Sequence, residues 1–319
     1  MYIIVENDPG LLSWGRMACG VSKIEFTPLT WETKEVYQRY YPTNIYALSD
    51  LAFSTLWIWR HVYHLAYSEH RGFFCLQCQF RGKTYFLPPL GPSTHRLSEL
   101  INDLKAYTRE HDLPFCIRGV PRELVPRLLA ATENRGNIRE DRAHWDYVYL
   151  TRDLIDLNGN KYRNKRSQIR RFATSHDYRY HPMTLADLPR ALAVFDAWAS
   201  AHPRILSVAE ERAALLEALA AFEKLPLKGG YLEVDGQMVA FAIGSLLKPD
   251  TALIHFEKTL PELPDAYAVI NREFTTNAWS GTEFINREDD LGLPGLREAK
   301  SRYHPVRMAE KYIFEWNDL

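Results

Sequence analysis

The chain has 319 residues, 46% hydrophobic and 25% charged, with 39 Lys and Arg against 40 Asp and Glu and a formal net charge of −1. This is the composition of a folded chain with room for two ordinary domains, and it excludes a disordered protein. It also excludes one that coats nucleic acid or an anionic membrane by bulk charge, so any polyanion contact must come from a local patch.

Met1 to Val5 is apolar, but Glu6, Asp8 and Pro9 interrupt it and no basic leader precedes it, so export is not expected. Leu51 to Tyr67 is cut by Arg60, His61 and His64 and falls short of the roughly 20 apolar residues of a spanning helix. The expectation is a soluble, cytoplasmic protein. In chain order, Trp31 to Tyr40 is a helix behind Thr30, and Leu56-Trp57-Ile58-Trp59 reads as core. Phe73 to Phe80 and Thr84 to Leu87 form a hairpin around Arg81-Gly82-Lys83. Of four cysteines, Cys19, Cys75, Cys78 and Cys116, only Cys75-x-x-Cys78 has suggestive spacing. On a strand its members point to opposite faces, and no second pair completes a zinc site, so core packing is expected. Thr94 to Glu110 is an amphipathic helix, Phe115 to Val120 a strand and Pro121 to Ala131 a helix, and polar Asn134 to Asp141 marks the boundary between domains at 1–140 and 141–319.

The second half opens with the strand Trp145 to Leu150 and a basic helix from Asn158 to Thr174. Helices Thr184 to Ala201 and Ser207 to Lys224 follow, the latter with Ser207 and Glu210 at capping-box spacing. Tyr231 to Val234 and Gln237 to Leu246 form a hairpin around Asp235-Gly236, and Thr251 to Thr259 adds a third strand. A helix from Asp265 to Trp279, a strand from Glu283 to Asn286, a helix from Pro294 to Tyr303 and a strand from Met308 to Trp316 complete the sheet. The pattern is α+β, with mixed central sheets flanked by helices.

Asp146-Tyr147-Val148-Tyr149, Lys161 to Arg166, His255-Phe256-Glu257-Lys258, Ile270 to Phe274, and Ile285 to Gly292 with Gly295-Leu296-Arg297 and Lys300 resemble the phosphatidylglycerol lysyltransferase C-terminal-domain family. Leu56 to Arg60 and Gly82 to Gly91 extend the resemblance over about residues 24 to 316. It implies two tandem GNAT-like acyltransferase domains, the second carrying the active site. It also implies transfer of an amino acid from aminoacyl-tRNA to a lipid, or, as in Fem-like relatives, to a cell-wall precursor. No membrane-spanning portion accompanies these blocks here, so lipid, cell-wall precursor and small molecule all stand open as acceptors.

Acyl transfer needs a donor cradle, a proton acceptor and groups that stabilise an oxyanion. The loop Thr259 to Ala266, where an acetyl-CoA enzyme of this fold carries a glycine-rich phosphate cradle, has no glycine and two carboxylates, which disfavours coenzyme A. No tightly bound cofactor and no metal is expected, His61 and His64 lacking a third ligand. Six cations, Lys161, Arg163, Lys165, Arg166, Arg170 and Arg171, share the basic helix, either as a tRNA-phosphate surface, with Lys161, Lys165, Arg166 and Arg170 foremost, or as a solvated face. By alternation His255 and Glu257 share one strand face, and one of them accepts the proton, or Glu257 forms a buried ion pair with Arg272 or Lys300. Tyr303, where the resemblance implies a leaving-group acid, completes the catalytic candidates, with packing as its other role. Asn286, Arg287, Glu288, Lys258 and Lys300 are the substrate-binding candidates, Asn286 first because its amide both donates and accepts. The expected function is acyl or aminoacyl transfer from a large activated donor. Its rivals are a non-catalytic RNA- or ligand-binding protein and an acetyl-CoA N-acetyltransferase.

Overall fold

A computed structural model describes residues 23–41, 46–91, 96–203 and 207–316. Cys19 and Thr94 lie outside these residues. The first half comprises β1 (Thr27–Pro28), α1 (Thr33–Tyr40), α2 (Phe53–Trp59), β2 (Ala66–His70), β3 (Phe73–Phe80), β4 (Lys83–Phe86), α3 (Leu97–Glu110), β5 (Phe115–Pro121), α4 (Val125–Ala131) and β6 (Asn137–Glu140). The second comprises β7 (Asp146–Leu150), α5 (Thr151–Asp156), α6 (Arg163–Ser175), β8 (Tyr178–Pro182), α7 (Leu188–Ala201), α8 (Val208–Ala220), β9 (Leu227–Val234), β10 (Gln237–Lys248), β11 (Thr251–Thr259), α9 (Ala266–Trp279), β12 (Phe284–Asn286), α10 (Pro294–Ser301), β13 (Arg307–Ala309) and β14 (Lys311–Trp316). Two seven-stranded sheets result, ordered β1-β2-β3-β4-β5-β14-β6 and β13-β7-β12-β11-β10-β9-β8.

Local chemistry accounts for the elements. Leu97, Leu100, Ile101 and Leu104 recur at helical spacing and are the buried side of α3. Both hairpins turn on two residues of positive φ, Arg81-Gly82 and Asp235-Gly236, the geometry that follows strand twist. Cys75 and Cys78 are buried in the first core, and burial pushes both thiols up. The Ser207 capping box does not form: Ser207 makes no side-chain cap, because Glu210 is drawn 2.6 Å from Arg81 of the first half. The reciprocal box is found instead at Thr184 and Asp187, ahead of α7.

The strand expected from Met308 to Trp316 is two strands in different sheets. β13 pairs with β7, and after Glu310 the chain crosses to the first sheet, where β14 lies between β5 and β6. Lys311 marks the crossing. Fully buried, its Nζ lies 2.6 Å from Asp50 of the first half and 2.7 Å from Asp146 of the second. α2 joins the halves from the other side: it packs on α8, Ile58 belongs to the second core, and Arg60 stacks 3.7 Å over Trp57 while bonding Glu217.

Two features shape the second sheet. β11 and β12 run parallel for three pairs, Thr251 to Phe284 through Leu253 to Asn286. Beyond Asn286 the chain stays with β7, Arg287 N donating to Tyr147 O and Tyr147 N to Glu288 O, so it parts from β11 and a gap opens. Across β10, Gly244 pairs with Ile254 but Ile243 with Phe256, leaving His255 as the extra residue of a bulge. Gly244 is required there, since a Cβ would stand 2.6 Å from the Leu253 carbonyl.

Candidate active site at the parting of two strands

The bulge separates the residues that alternation had put together. His255 faces the first half, its Nε2 2.8 Å from Ser245 Oγ, which is 2.9 Å from Ser54 Oγ of α2. Glu257 faces α9, accepting from Asn271 Nδ2 at 3.1 Å and from Arg287 Nη2 at 2.7 Å. The ion pair weighed for Glu257 therefore forms, but with Arg287. Arg272 pairs with Glu273, and Lys300 bonds backbone carbonyls.

Around Glu257 the structure gathers charge and unsatisfied polarity. Arg287 lies 4.8 Å over the Tyr303 ring, and Lys165 lies 3.9 Å over the same ring. Burial opposes the Arg287 charge, but Glu257, Tyr149 and Tyr303 outweigh it and hold the guanidinium ionised. Burial lowers the Lys165 ammonium to about 8, with Arg287 adding to the effect and Glu257 opposing it. Burial likewise pushes the Tyr303 phenol up, so it is a proton-bearing donor. Three buried atoms here lack a hydrogen-bond partner: Arg287 Nη1, Tyr303 Oη and Asn271 Oδ1. Buried polar groups are nearly always paired, so three orphans around one carboxylate mark a place for another molecule's polar atoms.

The loop after β12 is held rigidly. Lys300 donates to the carbonyls of Arg287, at 2.5 Å, and Asp289, and burial, opposed by Asp289, lowers its ammonium to about 8. Asn286 is wholly enclosed. Its amide donates to Asp146 at 3.0 Å and its oxygen accepts from Glu288 N at 2.8 Å, so it positions backbone and leaves nothing for a substrate. Burial raises the neighbouring Asp289 to about 7, against the pull of Lys311, Lys300 and His144. Asp290 binds Arg142 as well as Arg297, Tyr147 and Gly292 N, and the bonds from these last three overcome its burial and hold it well below the carboxylate range.

The remaining candidates lie apart. Lys258 points to the opposite side, 2.7 Å from Glu211 and 3.9 Å over Trp198. On the basic helix, Lys161 faces Asp153, Arg166 caps the carbonyls of Leu157 and Gly159, and Arg171 grips Asp265. Arg163 and Arg170 are exposed, with no ion pair among the described residues. Lys165 is turned inward to Tyr303, away from that face.

A family model, "Phosphatidylglycerol lysyltransferase, C-terminal", matches residues 44–315. The chain belongs to this family. A conserved protein of unknown function from Bacteroides thetaiotaomicron is 32% identical, covering 92% of this chain and 100% of its own, with a TM-score of 0.85. L-PGS from Bacillus licheniformis is 14% identical over 93% and 95% of the two chains, with a TM-score of 0.63, and FemX is 9% identical over 92% and 98%, at 0.62. At such identities the last two speak for fold alone, and they make the architecture two tandem GNAT-like domains, as in a further tandem GNAT protein. No curated protein matches the sequence. Among the described residues no helix is long and apolar enough to cross a membrane.

In this phosphatidylglycerol lysyltransferase C-terminal-domain protein, two contributors lie outside the candidates read from the sequence, Asn271 noted there only within Ile270 to Phe274 and Ser245 not at all. Asn271 is a polar residue on the buried stripe of α9, beside Phe274 and Thr275, and that placement was a usable signal. Ser245 lies inside an apolar strand buried on both sides and gives no periodic cue.

Proposed function

We propose that the protein transfers an aminoacyl group from an aminoacyl-tRNA to an amine or hydroxyl acceptor. The observation that carries this reading is the pair of buried donors beside Glu257, Arg287 Nη1 and Tyr303 Oη, neither of which has a well-formed hydrogen-bond acceptor among the described residues. Attack on an acyl ester puts negative charge on the carbonyl oxygen, and donors already oriented and desolvated stabilise it without reorganising. Glu257 and Asn271 fix the guanidinium; Lys165, at about 8, adds positive charge near neutral pH.

Two features support a donor other than coenzyme A. The first amides of α9, Ala266 N, Tyr267 N and Ala268 N, already donate to the carbonyls of Leu263, Pro264 and Asp265, so they offer no phosphate cradle. The Glu257–Arg287 pair also spans the gap in which a thioester arm would lie. Exposed Arg163 and Arg170 support contact with a nucleic-acid backbone. Acceptor identity, whether lipid, cell-wall precursor or small molecule, follows from the test: incubate the protein with bulk tRNA carrying labelled amino acids, add lipid and precursor fractions, and follow the label. Label in an acceptor fraction supports transfer. Label that stays on intact, protein-bound tRNA favours the second reading, a binding protein whose gap is closed by that ion pair.

A further inference from the structure

Resting on that reading, we infer that Glu288 is the proton acceptor for the attacking group, and that His255 is its positioning residue. Glu257 is poorly suited to accept that proton, because one carboxylate oxygen is held by Arg287 at 2.7 Å and the other by Asn271 at 3.1 Å. Protonating it would leave a buried guanidinium unpaired. Glu288 differs in each respect. Its Oε1 meets His255 Nδ1 at 3.3 Å, its side chain is 25% exposed, and its second oxygen has no bond to any described residue.

The arrangement behind it is a directed chain. With Glu288 ionised, His255 Nδ1–H donates to it, and Nε2 must then accept from Ser245 O–H at 2.8 Å. Ser245 Oγ in turn accepts from Ser54 O–H at 2.9 Å. Each of the three hydrogen bonds is thereby given one direction, and the imidazole is locked in one tautomer. Ser245 itself is fully buried, so it orients His255 and attacks nothing. The bulge that places an extra residue in β11 is what aims His255 along this line.

Chain position points the same way. Arg287 and Glu288 are consecutive where the chain leaves β12, and they diverge, Arg287 reaching Glu257 on the α9 side and Glu288 reaching His255 on the side of the first half. Whatever occupies the gap therefore has Arg287 on one side and Glu288 on the other. Glu288 also takes a left-handed φ of 54°, a conformation that non-glycine residues seldom adopt. Asn286 Oδ1 and Lys300 hold the backbone there. Strain kept at such a point fits a functional group. In the step itself, the acceptor N–H or O–H proton passes to the free oxygen of Glu288 while its nitrogen or oxygen bonds the acyl carbon. The ester C–O bond to ribose then breaks, and the ribose oxygen takes that proton, returning Glu288 to carboxylate.

The test uses the full chain, charged tRNA and the acceptor fraction that takes label. Glu288→Gln should lower kcat at least about 100-fold, within the range for a lost general base, with KM little changed. It should also remove the acid limb of the pH–rate profile. The charged and titratable groups around Glu288 are His255 from β11, Lys300 from α10 and Tyr63 from the first half. Glu288→Asp should restore part of the rate. Independently of activity, nitrogen NMR of the imidazoles should find His255 as the Nδ1–H tautomer, altered in Ser245→Ala. A Glu288→Gln protein with rate and profile intact, or an Nε2–H tautomer of His255, overturns the assignment alone. A wild-type protein that transfers nothing overturns the transferase reading and this assignment with it.

Discussion

Tyr303 separates stability from function at the level of one atom. Its hydroxyl is buried and unpartnered, a group whose desolvation is uncompensated and costs about 1–3 kcal/mol. Tyr303→Phe should therefore leave the melting temperature unchanged or higher, while kcat falls about tenfold or more from loss of an oxyanion donor. A falling melting temperature with intact kcat would make Tyr303 a packing residue. Arg287→Lys keeps the charge but gives up the planar fork that serves Glu257 and the gap together, and kcat should fall about 10²–10³-fold with KM nearly constant in steady-state assays. At this scale the sequence was informative about residue type and silent about direction. Glu257, Arg287 and Tyr303 were legible as chemistry-bearing groups near element ends, yet nothing in His255-Phe256-Glu257 announces that one residue is bulged out of register.

The bulge is an element-scale feature and rests on Gly244. Gly244→Ala sets a methyl 2.6 Å from a backbone oxygen, which a flexible side chain cannot relieve, and should cost about 1–3 kcal/mol in urea unfolding. If the register shifts to absorb it, His255 moves off Ser245 and its imidazole nitrogen signals change. Strands and helices with clean periodicity were read closely: β11 and β3 have the expected ends, α9 differs only at its first residue, and α3 ends at Glu110 as expected. β8 was missed because Tyr178-Arg179-Tyr180-His181-Pro182 is a partly exposed edge strand, polar on one face and aromatic on the other. The basic helix was read correctly as a helix, but only tertiary packing could show that Lys165 belongs to the site while Arg171 serves Asp265.

At the scale of the whole molecule, the halves are tied by a buried charge cluster. Lys311→Met leaves Asp146, wholly buried, and Asp50 without their shared cation, and should destabilise by about 3–5 kcal/mol, with part recovered when Asp146→Asn is added. Equilibrium denaturation of the two variants checks this. Asp289 gives the cluster a pH dependence. Its folded value of about 7 stands above the ordinary 3.8, so between those values the folded state binds more proton than the unfolded state, and stability falls as pH rises through the window. Asp289→Asn should flatten that decline in melting temperature between pH 4.5 and 7. None of this was legible beforehand, because Met308 to Trp316 holds no Gly, Pro, Asn, Asp or Ser to mark a turn and so conceals its change of sheet at Glu310.

That change of sheet also sets an order of events during synthesis. β6 pairs with β14 and is separated from β5 by it, and Arg139 meets Glu315 across 176 positions of sequence. A ribosome delivering the first half thus releases a sheet with one interior strand missing and two open edges, the surfaces on which nascent chains aggregate or recruit chaperones. The part of the protein that emerges first cannot close its sheet until the last strand has been made.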